Sequence, residues 1–387
     1  MGFDLEDALA RKRAAGLYRR RRLIGSAQCS RLVVDGRELL NFCSNDYLGL
    51  ASDPRLTAAF TRAAERWGVG SGASHLVCGH TLEHHALEDE LAAFTGRERV
   101  LLFSTGYMAN TGIIQALLGK QDAVFEDELN HASLIDGGRL ARCEYQRYGH
   151  NDVADLGHKL KASSAGRKLV VSDGVFSMDG DVAPLQALAR VAQQNEAWLM
   201  VDDAHGFGAL GATGGGLAES LGLGQRELPV LVGTLGKAFG TFGAFVAGSE
   251  ALVEYLINSA RSYIFTTALP PAVAAASRES LRLIREGDEL RARLHGHIAH
   301  FRHEAGNLGL DLLPSDTPIQ PLILGGNERA LAWSAALQER GLLVGAIRPP
   351  TVPAGTARLR VTLTAGHARA DVDRLLEALA SCRRDIG

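Results

Sequence analysis

The chain is short of cysteine pairs, of long apolar runs and of net charge, and each shortage excludes a class of protein. Its 387 residues include five cysteines, none in a C-x-x-C pair, which favours reduced thiols over a disulfide framework or a zinc knuckle. No apolar run approaches the ~18 residues of a membrane helix, and no apolar stretch follows the N-terminal arginines as in a secretory signal. A net charge of -3 gives no reason to expect a nucleic acid partner. We therefore expect a cytoplasmic protein that binds neither membrane nor nucleic acid.

Short apolar runs that alternate with helical patterns predict an α/β fold. The runs cover residues 100–103, 123–126, 168–172, 198–202, 230–234 and 244–247. Runs of this length with helices between them are typical of a sheet whose two faces are both covered. Only a short loop separates the last two runs, which indicates an antiparallel pair at that edge.

The two ends of the chain predict further parts. Residues 4–24 have the pattern of a basic helix that ends in a solvated face of arginines 19–22, and residues 32–42 have that of a hairpin. Beyond residue 271, helical spacing covers residues 272–308, and strand-like segments at 321–324 and 357–363 flank a helix at 329–340. We predict an N-terminal arm (1–45), a large α/β domain (46–271) and a small α+β domain (272–387).

A lysine between glycines and an acidic strand end form the most informative pair of signals. Lys237 follows an apolar run within Thr-Leu-Gly-Lys-Ala-Phe-Gly, which indicates a tight turn. Asp202 ends another run and His205 follows three residues later, so both side chains can reach one flat ring. A strand-end aspartate often only caps a helix, and a lone lysine is usually solvated. Together they favour a site for pyridoxal 5'-phosphate, which needs an amine for its aldehyde and a carboxylate for its ring nitrogen.

Three weaker signals fit the same site. Residues 104–110 follow a strand and open a helix with small residues, which suits a phosphate but also any strand-to-helix turn. His131 and Ser177 lie in polar segments after predicted strands, where a capping role is equally compatible with the sequence. Arg348 is held by three nearby prolines, which suits the capture of a carboxylate, although a structural proline-rich turn is the alternative.

Three other motifs each match only part of a known binding pattern. Residues 206–211 have the glycine spacing of a dinucleotide fingerprint, but more glycines follow instead of a helix. Residues 80–84 match the H-x-x-E-H of inverted zinc peptidases, but a helix starting near Thr81 would put His80 at its cap, and no clear third ligand follows. Residues 233–237 end in Gly-Lys without the rest of a P-loop. We therefore expect neither a dinucleotide fingerprint site nor a P-loop, and no metal.

Together these segments resemble the α-oxoamine synthases, a family of the fold-type-I pyridoxal-phosphate enzymes. The resemblance runs from about residue 5 to the C-terminus and is carried by residues 45–50, 70–74, 130–133, 174–181, 202–206, 234–240 and 347–360. One departure is Ala73, where the family usually has a second glycine. The resemblance implies a large domain with a mostly parallel seven-stranded sheet and a smaller α+β C-terminal domain.

The resemblance also implies roles for individual residues. Lys237 would hold the cofactor's aldehyde, Asp202 the pyridinium nitrogen, and His131 would stack on the ring; these three are the expected catalytic residues. The other expected cofactor contacts are Gly106, Tyr107, Ser177, His205, Thr234 and, toward the neighbouring subunit's phosphate, Thr266 and Thr267. The expected substrate contacts are Arg19, Asn45, His131, Arg348 and Thr351, with Arg348 on the amino-acid carboxylate.

The activity implied is that of a pyridoxal-phosphate-dependent acyltransferase of biotin synthesis. L-alanine would condense with a pimeloyl thioester, with loss of CO2 and a thiol, in a homodimer whose subunits share the active site. The acyl carrier, coenzyme A or an acyl-carrier protein, stays open. So do two alternatives: a sister enzyme that uses glycine or serine, and a non-enzymatic α/β binding protein with a degenerate site.

Overall fold

The computed structural model describes residues 3–386, which form fourteen α-helices, one π-helical turn and thirteen strands. The strands are β1 (Arg31–Val34), β2 (Arg37–Asn41), β3 (Arg99–Phe103), β4 (Ala123–Asp127), β5 (Glu144–Tyr148), β6 (Lys168–Asp173), β7 (Ala197–Asp202), β8 (Val230–Thr234), β9 (Ala244–Gly248), β10 (Ile319–Gly325), β11 (Leu342–Leu343), β12 (Gly345–Ile347) and β13 (Ala357–Thr362). The helices are α1 (Leu5–Ala14), α2 (Pro54–Trp67), α3 (Leu82–Thr95), α4 (Gly106–Leu117), α5 (Ala132–Leu140), α6 (Val153–Ala162), α7 (Leu185–Gln194), α8 (Gly216–Ser220), α9 (Glu250–Ser259), α10 (Arg261–Ile264), α11 (Pro271–Arg285), α12 (Asp288–Asn307), α13 (Asn327–Glu339) and α14 (Arg369–Ile386). The π-helical turn spans His75–Gly79. Among these described helices, none is both long enough and apolar enough to span a bilayer.

A seven-stranded sheet organises the large part of the chain, in the order β3-β9-β8-β7-β6-β4-β5. Strands β4 to β8 run parallel to one another, and β9 is antiparallel to both β8 and β3. This confirms the mostly parallel sheet and the antiparallel pairing expected from the short loop between β8 and β9. That pair does not lie at the edge as predicted, because β3 pairs outside β9.

Helices cover both faces of this sheet, as the short apolar runs predict. Alternate residues of a strand point to opposite faces. Accordingly Leu102 belongs to a core shared with α3 and α7, while Leu101 packs with α4 and α9 on the other side. Strand β5 was not predicted, because its sequence Glu-Tyr-Gln-Arg-Tyr is mostly polar. It forms the outer edge of the sheet, where charged side chains face solvent.

The N-terminal helix is shorter than predicted. It ends at Ala14, and Gly16 follows with φ of +65°, so arginines 19–22 lie on an extended segment and not on a helix face. The backbone that follows these arginines pairs with the hairpin. The Gly25 N–H donates to the Val33 carbonyl, and the Asp35 N–H donates to the Leu23 carbonyl. Residues that pair with β1 in this way cannot also continue a helix.

The C-terminal part combines a small sheet with long helices. Strands β10, β13 and β12 form an antiparallel sheet, and β11 pairs in parallel with β2, which joins the N-terminal hairpin to this part. The stretch predicted as helical at 272–308 is two helices, α11 and α12, because the chain breaks at Glu286-Gly287. The division into three domains stays a prediction.

Candidate active site

Asp202 lies at the carboxyl end of β7 with its carboxylate held at both oxygens. Oδ2 accepts a 2.6 Å hydrogen bond from Asn110 Nδ2, and Oδ1 accepts one of 3.0 Å from the Ala204 backbone. The side chain is buried. Asp203 points to the other side, as expected from strand geometry, and accepts from the Leu217 backbone at 2.6 Å. The carboxylate of Asp202 is therefore fixed in one orientation.

Lys237 lies on the loop between β8 and β9, next to the end of β7. Thr234 Oγ1 accepts from the Gly236 backbone at 3.2 Å and donates to the Gly243 carbonyl at 3.1 Å, which closes the turn. Burial lowers the pKa of Lys237 to about 8, and the carboxylate of Asp202 opposes that shift. An amine with this pKa is partly in its free-base form near neutral pH, which is the form that attacks a carbonyl.

His131 caps the N-terminus of α5, and its ring is fixed by Ser133. Nδ1 lies 2.7 Å from Ser133 Oγ and accepts from the Ser133 backbone at 3.3 Å. Ser133 Oγ also accepts from Asn110 Nδ2 at 2.9 Å, so Asn110 joins the partner of His131 to Asp202. Burial lowers the pKa of His131 and favours the neutral ring. Asn110 was not singled out from the sequence, although it lies in the quoted segment 104–110.

His205 is buried and paired with Tyr47. The Tyr47 hydroxyl and His205 Nδ1 are 2.5 Å apart. Burial holds the pKa of His205 well below its ordinary value, and burial raises the pKa of Tyr47 to about 12. The pair is therefore neutral around pH 7, and Tyr47 sets the orientation of the imidazole. Tyr47 was another residue that the sequence had not singled out.

Arg360, on β13 of the small sheet, lies at the candidate active site as well. Its Nε donates to the carbonyl of Ser177 at 2.6 Å, and both Nη atoms lie 3.2 Å from Asn45 Oδ1. Its positive charge contributes to lowering the pKa of both Lys237 and His205, after the larger effect of burial. The buried guanidinium of Arg360 thus acts electrostatically on Lys237 and His205, two of the predicted cofactor contacts.

Arg348, the arginine chosen from the sequence, lies on a cleft between the N-terminal segment and residues 346–351. It donates to the carbonyl of Gly16. Arg19 and Thr351 line the same cleft, whose volume is about 760 Å³. Three of the five predicted substrate contacts therefore line one cleft. Of the other two, Asn45 contacts Arg360 and His131 lies at the N-terminus of α5.

The N-terminus of α4 opens toward free space. Thr105 caps the helix by accepting from the Met108 backbone at 3.2 Å. A Cβ added at Gly106 would meet no protein atom within 4 Å, and the side chain of Tyr107 is exposed. Thr267 lies alongside, since its carbonyl accepts from Ser104 Oγ at 3.2 Å. Thr266 is half-buried next to it.

These features fit pyridoxal phosphate. A fixed carboxylate, an amine of lowered pKa and a neutral imidazole match the needs of its ring and aldehyde. The open helix N-terminus matches the need of its phosphate, since backbone N–H groups there attract anions. The roles of the individual residues stay predictions, and Ser177 enters the observed contacts only through its carbonyl.

Known proteins resemble the chain over nearly its whole length. The family described as aminotransferase class I and II matches residues 37–379. An 8-amino-7-oxononanoate synthase of Methylococcus capsulatus is 62% identical over 98% of each chain. One of Pseudomonas aeruginosa is 61% identical over 100% of this chain and 96% of its own. A solved serine palmitoyltransferase from S. paucimobilis, with bound PLP and myriocin, superposes with a TM-score of 0.94 at 33% identity, covering 99% of this chain and 97% of its own. An 8-amino-7-oxononanoate synthase from Francisella tularensis superposes with a TM-score of 0.78 at 33% identity, covering 89% and 98%.

Proposed function

Because the chain belongs to the class I and II aminotransferase family, and within it to the α-oxoamine synthases, we propose that it condenses L-alanine with a pimeloyl thioester. The products would be 8-amino-7-oxononanoate, CO2 and a free thiol. The observation that carries the proposal is the juxtaposition of Asp202, fixed by Asn110, with Lys237 of lowered pKa. The choice of substrates rests on the names of the relatives that match nearly the full length.

The residues of the site suit the cofactor of this reaction. When bound, pyridoxal phosphate supplies an aldehyde that condenses with amines and a ring that withdraws electrons from the amino acid's Cα. Lys237 Nζ would hold the aldehyde, and the carboxylate of Asp202 would face the ring nitrogen. His131 would lie on the ring face, His205 and Ser177 near the ring oxygen, and Gly106 with the N–H groups of α4 at the phosphate.

Lys237 and His131 would move and hold the protons. Once the amine of L-alanine has taken its place at the aldehyde, the freed Nζ of Lys237, with its pKa near 8, would accept the Cα proton of L-alanine as a general base. Ser133 holds Nδ1 of His131 and leaves the rest of the ring edge for the substrate. His131 would offer a hydrogen bond to the carboxylate that leaves as CO2.

Two arginines are candidates for the carboxylate of L-alanine. The sequence favours Arg348, but the contacts favour Arg360. Its buried guanidinium contacts Asn45 and contributes to lowering the pKa of both Lys237 and His205. We assign the amino-acid carboxylate to Arg360. Arg348, Arg19 and Thr351 then line the approach of the acyl thioester. A guanidinium suits both tasks, since it binds carboxylates and phosphates in a bidentate manner.

A substrate comparison tests the function directly. The holoenzyme is mixed with pimeloyl-coenzyme A and either L-alanine, glycine or L-serine, and free thiol and product mass are measured. We expect thiol release with L-alanine and a product of the mass of 8-amino-7-oxononanoate. Faster release with glycine or L-serine would assign the chain to a sister synthase, such as the serine palmitoyltransferase type that superposes on it. Repeating the assay with a pimeloyl-acyl-carrier protein identifies the preferred carrier.

A further inference from the structure

A second cluster of ligand-type side chains lies at the start of α3, and the candidate active site does not use it. His80, His85 and Glu88 each offer one nitrogen or oxygen atom, and these atoms all lie within 4.8 Å of one another. His85 and Glu88 are three residues apart on α3 and so share one face of the helix. His80 precedes the N-cap residue Thr81 and reaches the same face. We propose that these three side chains bind a divalent transition-metal ion such as Zn²⁺.

Two of the three ligands are held in place by other contacts. Glu88 Oε1 accepts from the Leu102 backbone at 3.0 Å, which leaves Oε2 to face the cluster. His80 Nδ1 is hydrogen-bonded to His75 Nδ1 at 2.9 Å, which leaves Nε2 facing Glu88. Metal-binding histidines usually have their second nitrogen tied in this way, because the contact fixes the ring orientation. His75 is itself stacked on Tyr263, with ring centroids 4.9 Å apart.

The gap between these two ligands fits an ion better than a direct contact. His80 Nε2 and Glu88 Oε2 are 3.9 Å apart, too far for a hydrogen bond. Zinc binds nitrogen and oxygen at about 2.0–2.2 Å, so two ligands of a tetrahedral ion are about 3.3 Å apart. Closing the cluster requires shifts of roughly 1.5 Å at most. His85 can supply them by a change of rotamer, since 66% of its side chain is exposed and its ion-pair partner Asp89, 3.8 Å away, is exposed as well.

The donor set defines the class of ion. Two imidazoles and one carboxylate favour Zn²⁺, Co²⁺ or Ni²⁺ over Ca²⁺ or Mg²⁺, which prefer sites made of oxygen alone. The zinc-peptidase pattern at residues 80–84 does not describe this site. Glu83 pairs with Arg278 at 2.7 Å, and the buried His84 bonds the Leu269 carbonyl at 2.6 Å. The proposed site shares only His80 with that pattern, and its other two ligands, His85 and Glu88, come from α3.

A bound ion would join α3 to the π-helical turn His75–Gly79. His80 follows that turn directly, and Ser74, just before it, forms a β-bridge with Thr267. The ion would therefore stiffen the segment that packs beside Thr267. We expect it to raise the thermal unfolding temperature of the protein, whatever substrate the active site takes.

Metal titration of the holoenzyme tests the proposal. After treatment with a chelator and dialysis, Zn²⁺ alone is titrated in competition with a chromogenic chelator, and Co²⁺ is titrated by visible absorbance. We expect one ion per chain and a higher unfolding temperature with Zn²⁺. His85→Gln removes an exposed ligand, and Glu88→Gln keeps an oxygen for the Leu102 backbone, so both variants should fold. Each should weaken the affinity at least about 10-fold.

His303→Gln is the matched control, since His303 is an exposed histidine on α12 whose contacts are with Glu304 and Asn307. It should bind Zn²⁺ like the unaltered protein. Absence of a stoichiometric ion would overturn the proposal. A Zn²⁺ affinity in both ligand variants equal to that of the unaltered protein would also overturn it. The same holds for a loss of Zn²⁺ affinity in His303→Gln as large as that in His85→Gln.

Discussion

Lys237 owes its chemistry to burial on a tight loop. Burial lowers its pKa to about 8, whereas a lysine in water has a pKa of about 10.4. Only the free base of an amine attacks an aldehyde, and this form is present above the pKa. At pH 7 the shift increases the free-amine fraction on the order of 10²-fold.

We therefore expect apoprotein to capture pyridoxal phosphate at a rate that rises with pH and levels off above about 8. Stopped-flow absorbance measures the rate, and mass spectrometry after borohydride reduction identifies the modified residue. Lys237→Ala is the control and should show no covalent capture. A rate that keeps rising to pH 10 would show that Lys237 has the pKa of an ordinary exposed lysine.

The two arginines of the site are predicted to serve different substrates. Arg360→Lys keeps the positive charge but loses the fork that contacts Asn45 and lies close to Lys237. We expect the KM for L-alanine to rise roughly 30-fold, the equivalent of about 2 kcal/mol for a charged hydrogen bond. Arg348→Lys is the matched variant and should raise the KM for the pimeloyl thioester instead. Steady-state kinetics with each substrate varied in turn measure the two KM values for both variants. A larger effect of Arg348→Lys on L-alanine would return the carboxylate to Arg348.

At the residue scale, sequence motifs identify strand-end groups better than their supporting contacts. Asp202, Lys237 and His205 follow apolar strands, so their place at one edge of the sheet could be predicted. Asn110 and Tyr47 could not be singled out in the same way. They reach Asp202 and His205 across 92 and 158 residues of sequence, and such contacts depend on how the elements pack.

At the element scale, the loop that carries Lys237 depends on a close approach to residues 50–51. Gly240 has φ of +67°, and a Cβ added there would lie 2.5 Å from the Ala51 nitrogen and 2.7 Å from the Leu50 carbonyl carbon. Both are backbone atoms and cannot rotate away. Gly240→Ala should therefore cost roughly 2–4 kcal/mol of stability, from the clash and the left-handed backbone together.

Gly222→Ala separates these two causes. Gly222 has φ of +64°, but an added Cβ would meet no atom within 4 Å. This variant should lose only about 1 kcal/mol, from the backbone conformation alone. Calorimetric unfolding with cofactor present measures the loss of stability in each of the two variants. Equal losses would mean that the loop can move away from residues 50–51 at little cost.

The elements that the sequence predicted correctly are those whose own residues decide their structure. Strands β6, β7 and β8 are continuous apolar runs and were placed within a residue or two. Edge strand β5 is polar, and the break between α11 and α12 occurs within an unbroken helical pattern. The N-terminal helix was overextended because the pairing of residues 23–25 with β1 is not visible in their local spacing.

At the scale of the whole molecule, exposed apolar side chains mark one surface. Val77, Leu82 and Phe265 are 77%, 67% and 70% exposed, and the β-bridge between Ser74 and Thr267 brings their segments together. Exposed apolar side chains grouped on neighbouring segments indicate an association site. The same segments contain Thr266 and Thr267, which the family resemblance implies contact the neighbouring subunit's phosphate. We therefore predict that this surface is the interface of a homodimer.

We expect the protein to sediment at twice the chain mass of 41.3 kDa and Phe265→Glu to shift it to the mass of one chain, because burying an unpaired carboxylate at an interface is costly. Leu331→Glu, on the exposed side of α13, is the control and should stay a dimer. If the active site is shared, Phe265→Glu should also lose pyridoxal phosphate on gel filtration while Leu331→Glu retains it. A monomeric Phe265→Glu that keeps its cofactor would mean that each chain completes its own site. An unaltered protein that sediments as a monomer would show that the expected homodimer does not form and leave the exposed apolar surface to another partner.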